Sequence, residues 1–309
     1  MTSSVISWRA VAVVGTLCYS CTVQAQQPLL VMIHGRDQPV AQRTQVEATW
    51  RKALADGLRG ARLDPIPPDR QRFVWYADLL VPGAKGCSYL SLDDAKADEA
   101  PGRTVWPELR SVLLGIAAQI PAGAQRTLLN HIMQDTETYL STGSAACAVD
   151  QRLRRAVGED PAAAALPTGV PVVVIAHSLG SMITYRNLMG KLEQVGRPVY
   201  LVTIGSMLGE KTVQRTLLGA HAAYPAPVPL PVLGWWNVVN SRDKIAFPAA
   251  PAFATDHAQK RPRDLVRDLG GPDAHNATRY LRSVTVSNAI AEAWCMASKK
   301  PAGCLEKKS

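Results

Sequence analysis

Ser178 lies in the run PVVVIAHSLGSMITY, Pro171 to Tyr185. There the β-branched segment Val172 to Ala176 passes directly into a helical pattern with apolar positions at Leu179, Met182, Ile183 and Met189. A serine on so abrupt a strand-to-helix turn has its hydroxyl lifted to the top of a sheet. The strained backbone this needs is tolerated only when the residues two before and two after are small. Here they are Ala176 and Gly180. The plain alternative is a serine capping an ordinary helix. Two distant residues favour the chemical reading: Asp243, just past the apolar run Trp235 to Asn240, and His275, in the loop Gly270 to His275 ahead of the last helical pattern. Serine, aspartate and histidine in that order suit acyl transfer. The imidazole takes the proton of Ser178 as it attacks a carbonyl, and the carboxylate orients the ring and stabilises its charged form.

Such a reaction also needs donors for the developing oxyanion. The segment His34-Gly35-Arg36-Asp37 follows an early apolar run, and Gly35 permits a close approach to substrate. The backbone N–H groups of Arg36 and Leu179 are therefore the expected pair. Each role has rivals. His257, after Asp256, is a second candidate base, and Asp273 a second candidate acid. His177 adjoins the nucleophile but should point away across the turn, as packing or polar support. His131 and His221 read as surface or helix residues, and Ser206 as a turn serine without the small-residue bracket. Asn276-Ala277-Thr278 fits a glycosylation acceptor, a short pattern that abuts the candidate base.

The elements that must position these residues read as an alternating α/β chain. Leu29 to Ile33 and Val199 to Ile204 are unbroken apolar runs of the kind buried on both faces of a parallel sheet. A helix over 45–58 with Val46, Trp50, Leu54 and Leu58 on one stripe separates the first run from a strand at Phe73 to Tyr76. From 79 to 130 the sheet pattern stops, which marks a cap or insertion containing a helix over 106–120. Further helices are expected around Leu128 to Leu140 and Val149 to Val157. Residues 160–169 form an Ala/Pro-rich linker, 222–233 an extended loop, and Asn237 to Asn240 the last clear buried strand. The terminal helix carries Tyr280, Leu281, Val284, Ile290, Ala293 and Trp294.

The chain has 309 residues, enough for one large α/β unit. Arg9, the apolar run Ala10 to Leu17 and the small-x-small site Val23-Gln24-Ala25 predict a signal peptide over 1–25, with a domain over 26–309 and a secreted or periplasmic location. Cleavage there leaves Cys87, Cys147, Cys295 and Cys304, which allow three pairings. The short span from Cys295 to Cys304 favours that pair, with Cys87 to Cys147 as the other. No Cys-x-x-Cys survives and no two histidines sit at ligand spacing, so no metal is expected. The formal charge of +9 falls to +8 without Arg9. This charge admits peripheral contact with an anionic membrane, but the scattered Lys and Arg with few aromatics argue against nucleic acid.

The motifs HG at His34-Gly35, AHSLGS at Ala176 to Ser181, TIGS at Thr203 to Ser206, WNVVNSRDKIA at Trp236 to Ala246 and DAHNATRYL at Asp273 to Leu281 resemble the α/β-hydrolase superfamily, in particular its bacterial lipase and esterase-like members. MQDTETYL, Met133 to Leu140, resembles the helix that often precedes the nucleophile strand in these proteins. Ala176 departs from the usual first glycine, and Lys244-Ile245 stands where Pro-Val is common. The resemblance implies an α/β-hydrolase fold, a mostly parallel sheet with helices on both faces and a helical insertion. It implies Ser178 as nucleophile, Asp243 as acid, His275 as base, and an oxyanion hole at Arg36 and Leu179. The expected activity is hydrolysis of a small-molecule or lipid ester without a cofactor. Acyl transfer to an alcohol or sugar is the alternative activity, and a non-catalytic envelope or binding protein the alternative of another class.

Overall fold

The computed structural model describes residues 27–36, 38–87, 102–118, 134–140, 143–159, 169–190, 197–254, 261–298 and 304–305. The expected signal peptide, His131 and His257 lie outside them.

Among the described residues six strands form one all-parallel sheet: β1 (Leu29–Ile33), β2 (Gln71–Val74), β3 (Val172–His177), β4 (Val199–Ile204), β5 (Val232–Asn240) and β6 (Arg263–Arg267), in the order β2-β1-β3-β4-β5-β6. Period-two alternation divides the buried apolar residues of the strands between two cores. Leu29, Val31, Ile33, Val172, Val174, Leu201 and Trp235 face one side. Helices α2 (Gly102–Ala118), α3 (Gly143–Arg154), α4 (Leu179–Met189) and α5 (Lys211–Leu218) cover it. Leu30, Met32, Val173, Ile175, Val202 and Trp236 face the other, under α1 (Arg43–Gly60), α6 (Ala277–Arg282) and α7 (Val284–Ser298). Burial on both faces is why the central strands read as continuous apolar runs.

Four expectations shift. The strand expected at Phe73 to Tyr76 pairs with β1 from Gln71 to Val74 instead. Trp75 and Tyr76 are apolar because they pack beside His34, not because they belong to the ladder. β5 begins at Val232, inside the stretch expected as a loop. The sequence pattern predicts no strand at β6: it is an edge strand of sequence RDLVR, and charge on an edge strand hides the strand pattern while blocking unwanted pairing. The terminal helix breaks at Ser283 (ψ 140), which leaves Val284 at 49 % exposure.

Both expected disulfides are present, Cys87 to Cys147 across 60 residues and Cys295 to Cys304 across 9. They suit an oxidising compartment. Among the described residues no helix is long and apolar enough to cross a membrane. The excursion after β2 sends Trp106, Leu109 and Leu113 of α2 into the core on the α4 side of the sheet.

Candidate active site

Neighbouring strands in a parallel sheet all end at one edge. The chain leaves β1 toward β2 on one side and returns as β3 on the other, so a crevice opens at the carboxyl ends of β1 and β3. Ser178 follows β3 directly, with φ 51 and ψ −123, and α4 starts at the next residue. The side chain of Ser178 does not cap that helix. Its Oγ lies instead 2.9 Å from His275 Nε2, while His275 Nδ1 lies 2.8 Å from Asp243 Oδ2. Residues 65 and 97 positions downstream of the serine thus close one hydrogen-bonded chain, with all three side chains buried. Asp243 hangs from the turn after β5 and His275 from the loop after β6.

Two close approaches that need glycine lie at this turn. A Cβ on Gly180 would fall 2.5 Å from the His34 carbonyl oxygen, and one on Gly35 would fall 3.0 Å from Ser178 Cβ and 2.5 Å from His177 Nδ1. The ends of β1 and β3 are therefore pressed together without side chains between them. Tyr76 Oη donates to the carbonyls of both His34 and Gly35 at 2.9 Å. His34 accepts the Tyr76 N–H at Nε2 and bonds the Gly35 carbonyl through Nδ1, which fixes its tautomer. In a trans peptide the N–H points opposite to the C=O. With the Gly35 carbonyl turned to Tyr76, the Arg36 N–H faces away from that ring. Leu179 is the first residue of α4, so its N–H has no intrahelical acceptor.

The electrostatics separate the histidines by role. Burial would depress His275, but the Asp243 carboxylate outweighs it and raises the pKa above the ordinary 6.5. Burial would likewise raise Asp243, and the charge and hydrogen bond of His275, with the Ile245 N–H and the Tyr280 hydroxyl, hold it below the usual carboxylate value. Burial drives His177 down to about 3 and His34 to about 4, so both remain neutral. His177 does not turn away from the site: its Nε2 hydrogen-bonds the backbone carbonyl of His275 at 2.8 Å, and the two rings stand 4.8 Å apart. This is the polar support expected of it.

Three residues central to the arrangement were not singled out from sequence. Tyr280 Oη donates to Asp243 Oδ2 at 2.8 Å and accepts the Asn240 N–H at 3.0 Å. Asn240 clamps both loops. Its Nδ2 donates to the Ala274 carbonyl, and its Oδ1 accepts from the N–H groups of Leu269 and Arg242. Tyr76 is the third. The only available signal was polarity at the end of a buried strand for Asn240, and none marked the tyrosines, whose rings fit an apolar stripe.

The rivals among the described residues make other contacts. Asp273 lines the cleft and accepts from Asn276 Nδ2, while Asp243 holds the His275 ring. Ser206 Oγ bonds Ser181 Oγ and the Leu208 N–H, as befits a turn serine. His221 is exposed. Arg36 Nε lies 2.9 Å from Asp135 Oδ2 but off the line of a hydrogen bond, an ionic contact that ties the loop after β1 to the helical stretch 134–140.

No family model, curated protein or solved structure matches this chain. The site therefore rests on its own geometry. Among the described residues no three His, Cys, Asp or Glu side chains gather as a metal would need.

Proposed function

We propose that the chain is a serine hydrolase of the α/β-hydrolase superfamily, exported to the periplasm or beyond, that cleaves carboxylic esters through an acyl-enzyme. The observation that carries this is the continuous chain from Asp243 Oδ2 through both ring nitrogens of His275 to Ser178 Oγ. The serine, aspartate and histidine follow β3, β5 and β6, in the order this architecture uses.

In this reading His275 Nε2 takes the Ser178 proton as Oγ attacks the ester carbonyl. The N–H groups of Arg36 and Leu179 hold the resulting oxyanion, each donor worth roughly 10²–10³ in turnover. The intermediate collapses, the acyl–oxygen bond breaks, and His275 passes its proton to the leaving alcohol. Water, deprotonated by the same nitrogen, then releases the acid.

The test combines a fluorophosphonate probe with 4-nitrophenyl esters of increasing chain length, on the protein and on Ser178→Ala. The expected result is one label, mapped to Ser178, and turnover that the substitution abolishes. Hydrolysis unchanged in Ser178→Ala would remove the mechanism. Absence of both label and turnover in folded protein would favour a binding role.

A further inference from the structure

The cleft over Ser178 holds about 380 Å³, within the range of small-ligand sites. One wall is α1 with the turn before it. Residues 42, 45, 46, 49 and 50 recur at helical spacing and form a single stripe. That stripe is split along its length. Trp50 is buried and Val46 half-buried against the core beneath, whereas Gln42, Gln45 and Thr49 form an exposed edge that lines the cleft. The side chains of these three hydrogen-bond no described residue. The facing wall follows the base in the chain and is also polar. Asn276 Oδ1 accepts from the N–H and the hydroxyl of Thr278, and Asn276 Nδ2 donates to Asp273.

This lining is chemically selective. A side-chain amide offers a donor and an acceptor side by side, and each hydroxyl of a vicinal pair can do the same, so the two match. A hydrocarbon chain in the same place would displace water from the amides and leave them unpaired. The position of the base says which half of the substrate meets these walls. His275 Nε2 must reach the leaving oxygen to protonate it, so the residues flanking His275 flank the alcohol portion. The carbonyl oxygen turns to the other side, toward Arg36 and Leu179.

We propose, building on the serine-hydrolase reading, that the cleft takes the alcohol portion of its ester as a hydroxyl-rich ring, a saccharide or cyclic polyol. Gln42, Gln45 and Thr49 bind its hydroxyls. The reaction moves the acyl group from the esterified hydroxyl oxygen of the sugar to Ser178 Oγ; the acyl–oxygen bond breaks, and the proton of Ser178 passes by way of His275 to that oxygen as the sugar leaves.

The experiment holds the acyl group constant and varies the alcohol. A monoacetylated methyl glycoside and cyclohexyl acetate are compared on the full-length protein, with fluorophosphonate labelling of Ser178 run alongside. The glycoside acetate should be preferred by about tenfold or more in kcat/KM, less than in sites that fully bury such hydrogen bonds. The preference should drop at least fivefold in the double variant Gln42→Leu, Gln45→Leu. Thr49→Val, which keeps shape and removes the hydroxyl, gives the same direction should the double variant fold poorly. Labelled Ser178 with no preference for the glycoside, or with a preference indifferent to these substitutions, overturns the proposal and leaves the hydrolase reading standing. No label and no turnover of either acetate removes both.

Discussion

Replacing Tyr280 with phenylalanine deletes one oxygen and leaves a ring of nearly the same shape in a fully buried slot. That oxygen donates to the Asp243 carboxylate and accepts the Asn240 N–H. A hydrogen bond to a charged group contributes about 1.5–3 kcal/mol, and stranding a buried backbone N–H adds roughly another 1–3 kcal/mol. A stability loss of about 2.5–6 kcal/mol is therefore expected, read from the denaturant midpoint at constant m-value. Turnover should respond less. The carboxylate keeps its bonds from His275 and from the Ile245 N–H, and only the part of the tyrosine bond that changes as His275 becomes charged enters the barrier. A loss in kcat of about tenfold, near 1.4 kcal/mol, is the upper bound. Stability unchanged within about 0.5 kcal/mol, or turnover as low as in Ser178→Ala, would refute the reasoning.

Since His275 must be neutral to accept a proton and Asp243 raises its pKa, kcat/KM should rise with pH through a value above 6.5. Asp243→Asn should move that limb to lower pH while lowering kcat by on the order of 10⁴. His34 and His177, depressed to about 4 and about 3, are neutral in the fold and take up protons only on unfolding below pH 6.5. Their contribution is whole above that pH and is lost as pH falls. At about 1.4 kcal/mol per site per pH unit, these two sites should cost roughly 4 kcal/mol between pH 6.5 and 5, offset in part by His275, whose raised pKa acts in the opposite direction, as urea titration at each pH would measure. Opening the Cys87–Cys147 bridge by paired serine substitution should cost up to about 4 kcal/mol, against under about 3 for Cys295–Cys304, because it closes the longer loop. Gly180→Ala, whose methyl meets the His34 carbonyl oxygen at 2.5 Å, should slow turnover and lower the melting temperature together.

What sequence revealed and what it hid divide along a physical line. Ser178 was legible because a strained turn demands small neighbours, and Asp243 and His275 because each follows a strand and must reach one rim. The apolar runs of β1, β3 and β4 declared themselves through burial on both faces. The supporting residues were not legible, since support is a matter of long-range contact. Asn240 joins segments 34 residues apart, and Tyr280 reaches back 37 to the carboxylate. Tyr280, spaced like a core residue, carries no mark of its hydroxyl's task. β6 was hidden for the opposite reason: an edge strand needs charge, and charge erases the pattern by which a strand is recognised.

The backbone at Ser178 bears on how inactive controls are made. With φ at 51 and ψ at −123, position 178 occupies a region natural only to glycine. Holding any other residue there drains on the order of 1–3 kcal/mol from the native state. Two knockouts that look equivalent on paper therefore part ways: alanine removes the hydroxyl and keeps the burden, whereas glycine removes both. The glycine variant should outlast the parent protein on heating.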